Sequence, residues 1–298
     1  MSRPDWRPSG DDPLPGTQDG SAPGGRPADG AARRLAGWAR RAWSAAGPAE
    51  PNRFGLAEAV LGFVAGVLIG SLAVSLYASA SGHPASSDSL GVDLVSLAGL
   101  WVGLLGGTVV ATVAHPLLAT AAAGSGKRWW SRFAADYGVA LRPWPDLVVG
   151  PLIGVASQYG LVPLLELPLL PFVHNLSQQV GKPAEQLTGH VHGPGLVVLA
   201  LFVCIGSPVV EELFFRGLLL RGLLGSTVKL AATARVVVSI GLTSLLFALA
   251  HFEAVQFLGL AGFGAVLGVL AWRTGRLGPG MAAHASFNAV AIIAIVVR

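Results

Sequence analysis

Seven long apolar runs limit what this 298-residue chain can fold into. Several of them reach the roughly 20 residues that a helix needs to cross a bilayer. Only 12% of the residues are charged, well below the roughly 25% found in ordinary soluble domains. These features predict an all-α fold, a polytopic bundle of transmembrane helices with about seven spans. The spans are expected at residues 54–79, 94–122, 146–171, 194–220, 234–251, 255–272 and 279–297.

Basic residues alternate between successive connections, which predicts the orientation of the chain. Cytoplasmic loops of membrane proteins collect Lys and Arg. The N-terminal tail and the loops after the second, fourth and sixth spans are basic, whereas the loop after the third span carries only Lys182. We therefore expect a multi-pass protein of the cell membrane with a cytoplasmic N-terminus and an outward C-terminus. The basic loop residues are Lys127, Arg128, Arg132, Arg142, Arg221, Lys229, Arg235, Arg273 and Arg276.

The composition of the chain changes near residue 50. Residues 1–50 are rich in Arg, Pro and Gly and have almost nothing to bury, so we predict a disordered cytoplasmic tail. The stretch AARRLAGWARRAW within it is typical of a basic amphipathic segment on an anionic membrane surface, and a tail that only sets topology is the alternative. The remainder divides into N-terminal transmembrane helices at 51–193 and a core at 194–298 that carries the functional motifs.

Glycine recurs every fourth residue on several of the predicted spans. Such stripes let two helices approach each other closely in a membrane. They predict a compact bundle and carry no information about activity. The stripes consist of Gly62, Gly66 and Gly70, of Gly99, Gly103 and Gly107, and of Gly264 and Gly268.

The segment 172–193, between the third and fourth spans, is polar enough to form a helix or loop on the outer surface. It contains His174, His190 and His192. We interpret these as surface histidines rather than as a metal cluster, because no carboxylate stands at a fixed helical spacing beside them.

Three short polar clusters interrupt the apolar sequence of the last third of the chain. An ionisable side chain at membrane depth costs roughly 2.5 kcal/mol or more, so several of them together indicate chemistry or transport. In the first cluster, Glu212 and Arg216 are four residues apart, the spacing of an ion pair along a helix. Glu211 points about 100° away from Glu212 and is available to other partners. The other clusters are Phe247 with His251, and His284 with Asn288.

These side chains suit hydrolysis, by either of two mechanisms. In the first, Glu211, His251 and His284 bind zinc, and a water takes the fourth position. In the second, Glu211 deprotonates a water that His251 orients, while His284 and Asn288 hold the carbonyl oxygen. No HExxH helix is present, which favours Glu211 as a general base. At about 1.5 Å per residue, His251 and His284 lie at different depths, so a shared site requires staggered helices.

Three motifs resemble those of one family. EELFFR, FALAH and HASFN are similar to the motifs EExxxR, FxxxH and HxxxN/D of the intramembrane CAAX prenyl proteases and the bacteriocin-processing or self-immunity proteins. The resemblance covers about residues 194–292. It implies that Glu211 is the catalytic glutamate, and that Glu212 and Arg216 are its paired residues. It also implies functional roles for His251, His284 and Asn288.

The resemblance implies an intramembrane endopeptidase that hydrolyses peptide bonds of a membrane-associated protein or peptide. Its partners are then the lipid bilayer and that substrate, with no nucleic acid, and its cofactor is zinc or none. A non-catalytic membrane scaffold or bacteriocin-immunity protein is the alternative. A proton-coupled transporter comes third, because repeated halves with paired broken helices are not evident. The expected catalytic residues are Glu211, Glu212, His251, His284 and Asn288, with Arg216 and Phe247 as structural support.

Overall fold

The computed structural model describes residues 55–82, 84, 89–114 and 126–297. The predicted tail at 1–50 and its basic amphipathic segment lie outside the described residues. Within the described ranges the chain is helical and contains no strand, which confirms the all-α prediction. The helices are α1 (Leu56–Ser81), α2 (Leu90–Ala114), α3 (Gly126–Tyr137), α4 (Pro143–Leu169), α5 (Leu176–Thr188), α6 (Pro194–Ser226), α7 (Ala232–Leu249), α8 (Phe257–Thr274) and α9 (Gly278–Val296).

Seven helices in the described part of the chain are long and apolar enough to cross a membrane, as predicted. They are α1, α2, α4, α6, α7, α8 and α9. Helix α6 continues to Ser226, beyond the predicted end at residue 220. The polar segment between the third and fourth spans contains α5, one of the two forms expected for it. The chain is therefore a multi-pass membrane protein.

The glycine stripes of α1 and α2 face each other. A Cβ atom built on Gly62 would lie 2.8 Å from the Cα of Gly107, and one on Gly99 would lie 2.5 Å from the Cα of Gly70. Gly103 meets the backbone of Gly66 in the same way. Because no side chain separates the two backbones, the helices are in direct contact along the stripe, which confirms the predicted close approach.

The Gly103→Ala substitution is expected to destabilise the bundle. The new Cβ would collide with the backbone of Gly66, which cannot rotate away as a side chain can. Overpacking of this kind costs about 1–3 kcal/mol. The thermal midpoint of the purified protein in detergent measures the loss. Gly106→Ala on the same helix is the matched control, since a Cβ there has no atom within 4 Å. Equal midpoints for the two variants would contradict the packing.

Two of the spanning helices contain π-helical segments. In α4 the segment is Ser157–Leu161, and in α6 the segments are Phe202–Gly206 and Glu212–Leu219. Pro208 lies between the two segments of α6, where its ring cannot donate a backbone hydrogen bond and crowds the preceding turn. The helix is widened just before this proline. Such local widening is frequent at functional sites, and in α6 it flanks the predicted glutamates.

The basic connections meet at one end of the bundle. The Arg276 guanidinium pairs with the Asp146 carboxylate at the start of α4, and Arg221 of α6 donates to the carbonyl of Gly275 at 2.8 Å. Tyr137, at the end of α3, is also buried there, and burial raises its pKa to about 12. The side of the membrane that this end faces stays a prediction.

Candidate active site

The predicted ion pair between Glu212 and Arg216 is present and fully buried. Arg216 Nη1 donates to Glu212 Oε1 at 2.7 Å, and both side chains are 0% exposed. Arg216 Nη2 also donates to the carbonyl of Gly264 on α8 at 3.1 Å. The guanidinium carbon lies 4.5 Å from the centre of the Phe247 ring. Arg216 therefore connects α6 to α8 and to α7.

Glu212 has a second partner, His284 of α9. The distance from Glu212 Oε1 to His284 Nδ1 is 3.3 Å. Because the carboxylate is paired with Arg216 and accepts hydrogen bonds, Nδ1 carries the hydrogen and donates it. The contact leaves Nε2 of His284 for chemistry. It joins residues 72 positions apart, so the spacing along one helix gave no sign of it.

Glu211 faces the free nitrogen of His284. Glu211 Oε2 lies 3.9 Å from His284 Nε2, which is longer than a direct hydrogen bond. This oxygen is buried and has no hydrogen-bond partner among the described residues. Glu211 thus points away from the Glu212 ion pair, as its position one residue earlier predicts.

His251 lies just after α7 rather than within a span. Helix α7 ends at Leu249, so the predicted span of 234–251 is too long by a half turn. The His251 Nδ1 lies 2.8 Å from the carbonyl of Phe247. A carbonyl only accepts, so Nδ1 carries the hydrogen and Nε2 of the neutral ring is an acceptor. His251 therefore has a defined tautomer and a free lone pair.

The Phe247 ring lies between the two histidines. It is 0% exposed, and its centre is 4.6 Å from that of His251 and 5.6 Å from that of His284. Both histidines meet this ring edge-on, in a favourable arrangement for aromatic pairs. Phe247 is near the end of α7, whereas His284 is near the start of α9. The helices are therefore offset along their lengths, as a shared site requires.

One cavity of about 390 Å³ brings these residues together. His251, His284 and Asn288 all line it, one turn of α9 separating the last two. Asn288 Nδ2 donates one hydrogen to the carbonyl of Val203 in a π segment of α6, at 2.8 Å. The amide is thereby oriented, and its second N–H hydrogen is available to a ligand. Glu211 lies next to these three residues, beside His284.

Glu166 and Gln158 of α4 also line this cavity, and the sequence reasoning missed both. Glu166 is a buried carboxylate within the apolar stretch LVPLLELPLL. The signal that identified Glu211 was present here too, namely the cost of an ionisable side chain at membrane depth. Glu166 was overlooked because it stands alone and outside the family motifs.

The donors predicted for zinc do not form a metal-binding group. Across the described ranges, no group of three or more His, Cys, Asp or Glu residues is arranged to hold a metal ion. Glu211 and His284 are close to each other, but His251 does not complete a set with them. Zinc binding at this site stays a prediction, and the hydrolysis proposed for the site uses the side chains alone.

The histidines between the third and fourth spans lie apart from this site. His174 and His192 are exposed. His190 Nε2 contacts Asp93 Oδ2 of α2 at 3.0 Å, and His190 Nδ1 contacts the carbonyl of Gln186 at 3.0 Å. The carboxylate comes from a distant part of the sequence, which helical spacing alone does not reveal. The interpretation of surface histidines fits this placement.

One family model matches the part of the chain that carries the motifs. Residues 193–290 match the family described as Type II CAAX prenyl endopeptidase Rce1-like. The matched range extends from the start of α6 into α9 and contains Glu211, His251, His284 and Asn288. Comparison with curated proteins and with solved structures gave no match. The family match over residues 193–290 therefore agrees with the resemblance of the motifs to the CAAX proteases and supports it.

Proposed function

We propose that this chain is an intramembrane endopeptidase that hydrolyses peptide bonds of a membrane-associated protein or peptide. The observation that carries the proposal is the meeting of His251, His284 and Asn288 around one cavity, with Glu211 beside His284. These side chains come from separate parts of the sequence, and the ionisable groups of Glu211 and His284 would be costly at membrane depth without a function. The family match supports a CAAX protease-like enzyme.

In the proposed reaction, Glu211 is the general base. Its carboxylate takes one proton from a water molecule. The second hydrogen stays on the water oxygen and forms a hydrogen bond to the Nε2 lone pair of His251, which orients the water. The water oxygen attacks the substrate carbonyl carbon and forms the new C–O bond. The proton held by Glu211 then passes to the leaving nitrogen as the C–N bond breaks. The products are a new carboxyl terminus and a new amine.

Asn288 and His284 are proposed to bind the oxygen of the tetrahedral intermediate. Asn288 has one N–H hydrogen left after its bond to Val203, and His284 Nε2 donates when the ring is protonated. Donors held in place before the reaction stabilise the developing charge without reorganisation. Glu212 and Arg216 do not reach the substrate in this scheme. They are positioning residues that hold His284 through Nδ1.

Chelation separates this mechanism from the zinc version. We expect the purified protein, reconstituted in liposomes, to cleave membrane-inserted peptides at the same rate before and after treatment with 1,10-phenanthroline. Glutamate-based catalysis needs no Lewis acid, whereas a catalytic zinc supplies the activated water. Mass spectrometry of the products measures the rate, and elemental analysis measures bound metal. Loss of cleavage that added zinc restores would refute the metal-free mechanism.

A further inference from the structure

Among the residues that the structure describes, the carboxylate of Glu166 has no cationic partner. Its side chain is 6% exposed, and its Oε1 is buried without a hydrogen-bond partner among the described residues. This differs from Glu212, which pairs with Arg216. A charge buried without a partner is strongly destabilising in a folded protein. Within a membrane, such a residue indicates a functional site.

Glu166 lies where two cavities adjoin. One is the cavity that contains His251, His284 and Asn288. The other has a volume of about 660 Å³ and extends from the end of α4 toward α5. An extended segment that reaches the catalytic residues through the second cavity therefore passes this carboxylate. The residues that line both cavities are Gln158, Val162, Glu166, Ser177 and Val180.

Glu166 packs against a glycine of α8. A Cβ atom built on Gly259 would lie 3.0 Å from Glu166 Oε1. A larger residue at that position would therefore crowd the carboxylate oxygen. The glycine at position 259 lets the carboxylate lie against α8 while the Glu166 side chain lines both cavities.

The charge of the two cavities favours a cation. Among the described residues that line them, none is a lysine or an arginine. The basic side chains that line them are three histidines, His174, His251 and His284, so a negative group of the ligand would meet Glu166 with no permanent cation to offset it. A positive group would form a charge-assisted hydrogen bond, which is stronger at low dielectric than in water. Arginine suits such a carboxylate best, because its planar guanidinium donates two parallel hydrogen bonds.

We propose that Glu166 is a specificity-determining residue that binds a lysine or arginine side chain of the substrate beside the scissile bond. This inference rests on the proposed endopeptidase function and adds the class of substrate. The favoured substrate carries a basic residue in the segment that passes α4. A free carboxyl terminus at the same place is disfavoured by repulsion from Glu166.

Binding to a protein that cannot cleave isolates this contact. The Glu211→Gln protein in nanodiscs is titrated with fluorescent apolar peptides that differ only in Arg, Gln or Glu at one position, scanned along the peptide. At one position we expect the Arg peptide to bind about tenfold more tightly than the Gln peptide, from one charge-assisted hydrogen bond. We expect that adding Glu166→Gln abolishes the preference for the Arg peptide over the Gln peptide, and that Glu166→Asp keeps part of this preference. Glu185→Gln, on the exposed side of α5, is the control and keeps all of it.

Each other outcome contradicts the proposal. Equal binding of the Arg and Gln peptides at every position, or a ratio that persists in Glu166→Gln, shows that Glu166 binds no cation. Loss of Gln-peptide binding in Glu166→Gln shows a structural role instead. The binding ratio does not depend on catalysis. If the wild-type protein binds the Arg peptide selectively but cleaves nothing, the endopeptidase function fails while the cation site stands.

Discussion

Glu211→Gln is expected to lower the rate of peptide cleavage by about 10²–10⁴-fold, the usual contribution of a general base. Glutamine has nearly the size of glutamate and keeps a carbonyl acceptor toward His284, but it cannot accept a proton from water. Because Glu211 has no hydrogen-bond partner for Oε2 among the described residues, the change breaks no described hydrogen bond of that atom. Single-turnover cleavage in proteoliposomes measures the rate, and the thermal midpoint should stay near that of the wild type.

Glu253→Gln is the matched control for this prediction. Glu253 lies in the turn after α7, close in sequence to His251, and has no role in the proposed reaction. Its substitution removes the same charge and should leave the rate unchanged. If Glu211→Gln cleaves as fast as Glu253→Gln, Glu211 is not the base.

Arg216→Met is expected to destabilise the protein by about 3–5 kcal/mol. The substitution keeps an unbranched apolar chain beside Phe247 but leaves the Glu212 carboxylate, which is 0% exposed, without its cation. It also removes the donor to the carbonyl of Gly264. Unfolding of the purified protein in detergent, followed by helix content, measures the difference.

Two further variants test the cause of this loss. In Glu212→Gln with Arg216→Met no unpaired charge is buried, so we expect much of the stability to return. Arg273→Met removes an exposed arginine of α8 and should have little effect. If Arg216→Met is as stable as Arg273→Met, Arg216 neither stabilises the buried Glu212 carboxylate nor holds α6 against α8.

Local spacing predicts several features of this fold well. The length of the apolar runs predicts the seven spans, because the thickness of the bilayer sets the length of each helix. The separation of Glu212 and Arg216 predicts their contact, because the pitch of a helix brings i and i+4 together. The stripe at Gly99, Gly103 and Gly107 predicts close packing for the same reason.

The spacing of residues along the chain does not predict contacts between helices that are distant in sequence. The contact between Glu212 and His284 depends on how α9 is placed against α6, and packing between helices sets that placement. The end of α7 is another example, because Phe252 has a φ of 55° and the chain leaves the helix before the apolar pattern ends. The π segments around Pro208 likewise arise from the way the helix relieves a local clash.

Cleavage in ¹⁸O-labelled water tests most directly whether the polar groups of α6, α7 and α9 form one hydrolytic site. Purified wild-type protein in proteoliposomes is incubated with a library of membrane-inserted peptides, and the products are analysed by mass spectrometry. We predict pairs of fragments in which each new carboxyl terminus carries one ¹⁸O atom, and we predict that Glu211→Gln does not form them at a comparable rate. A library that stays intact in the presence of folded wild-type protein would contradict the endopeptidase function and favour a membrane scaffold.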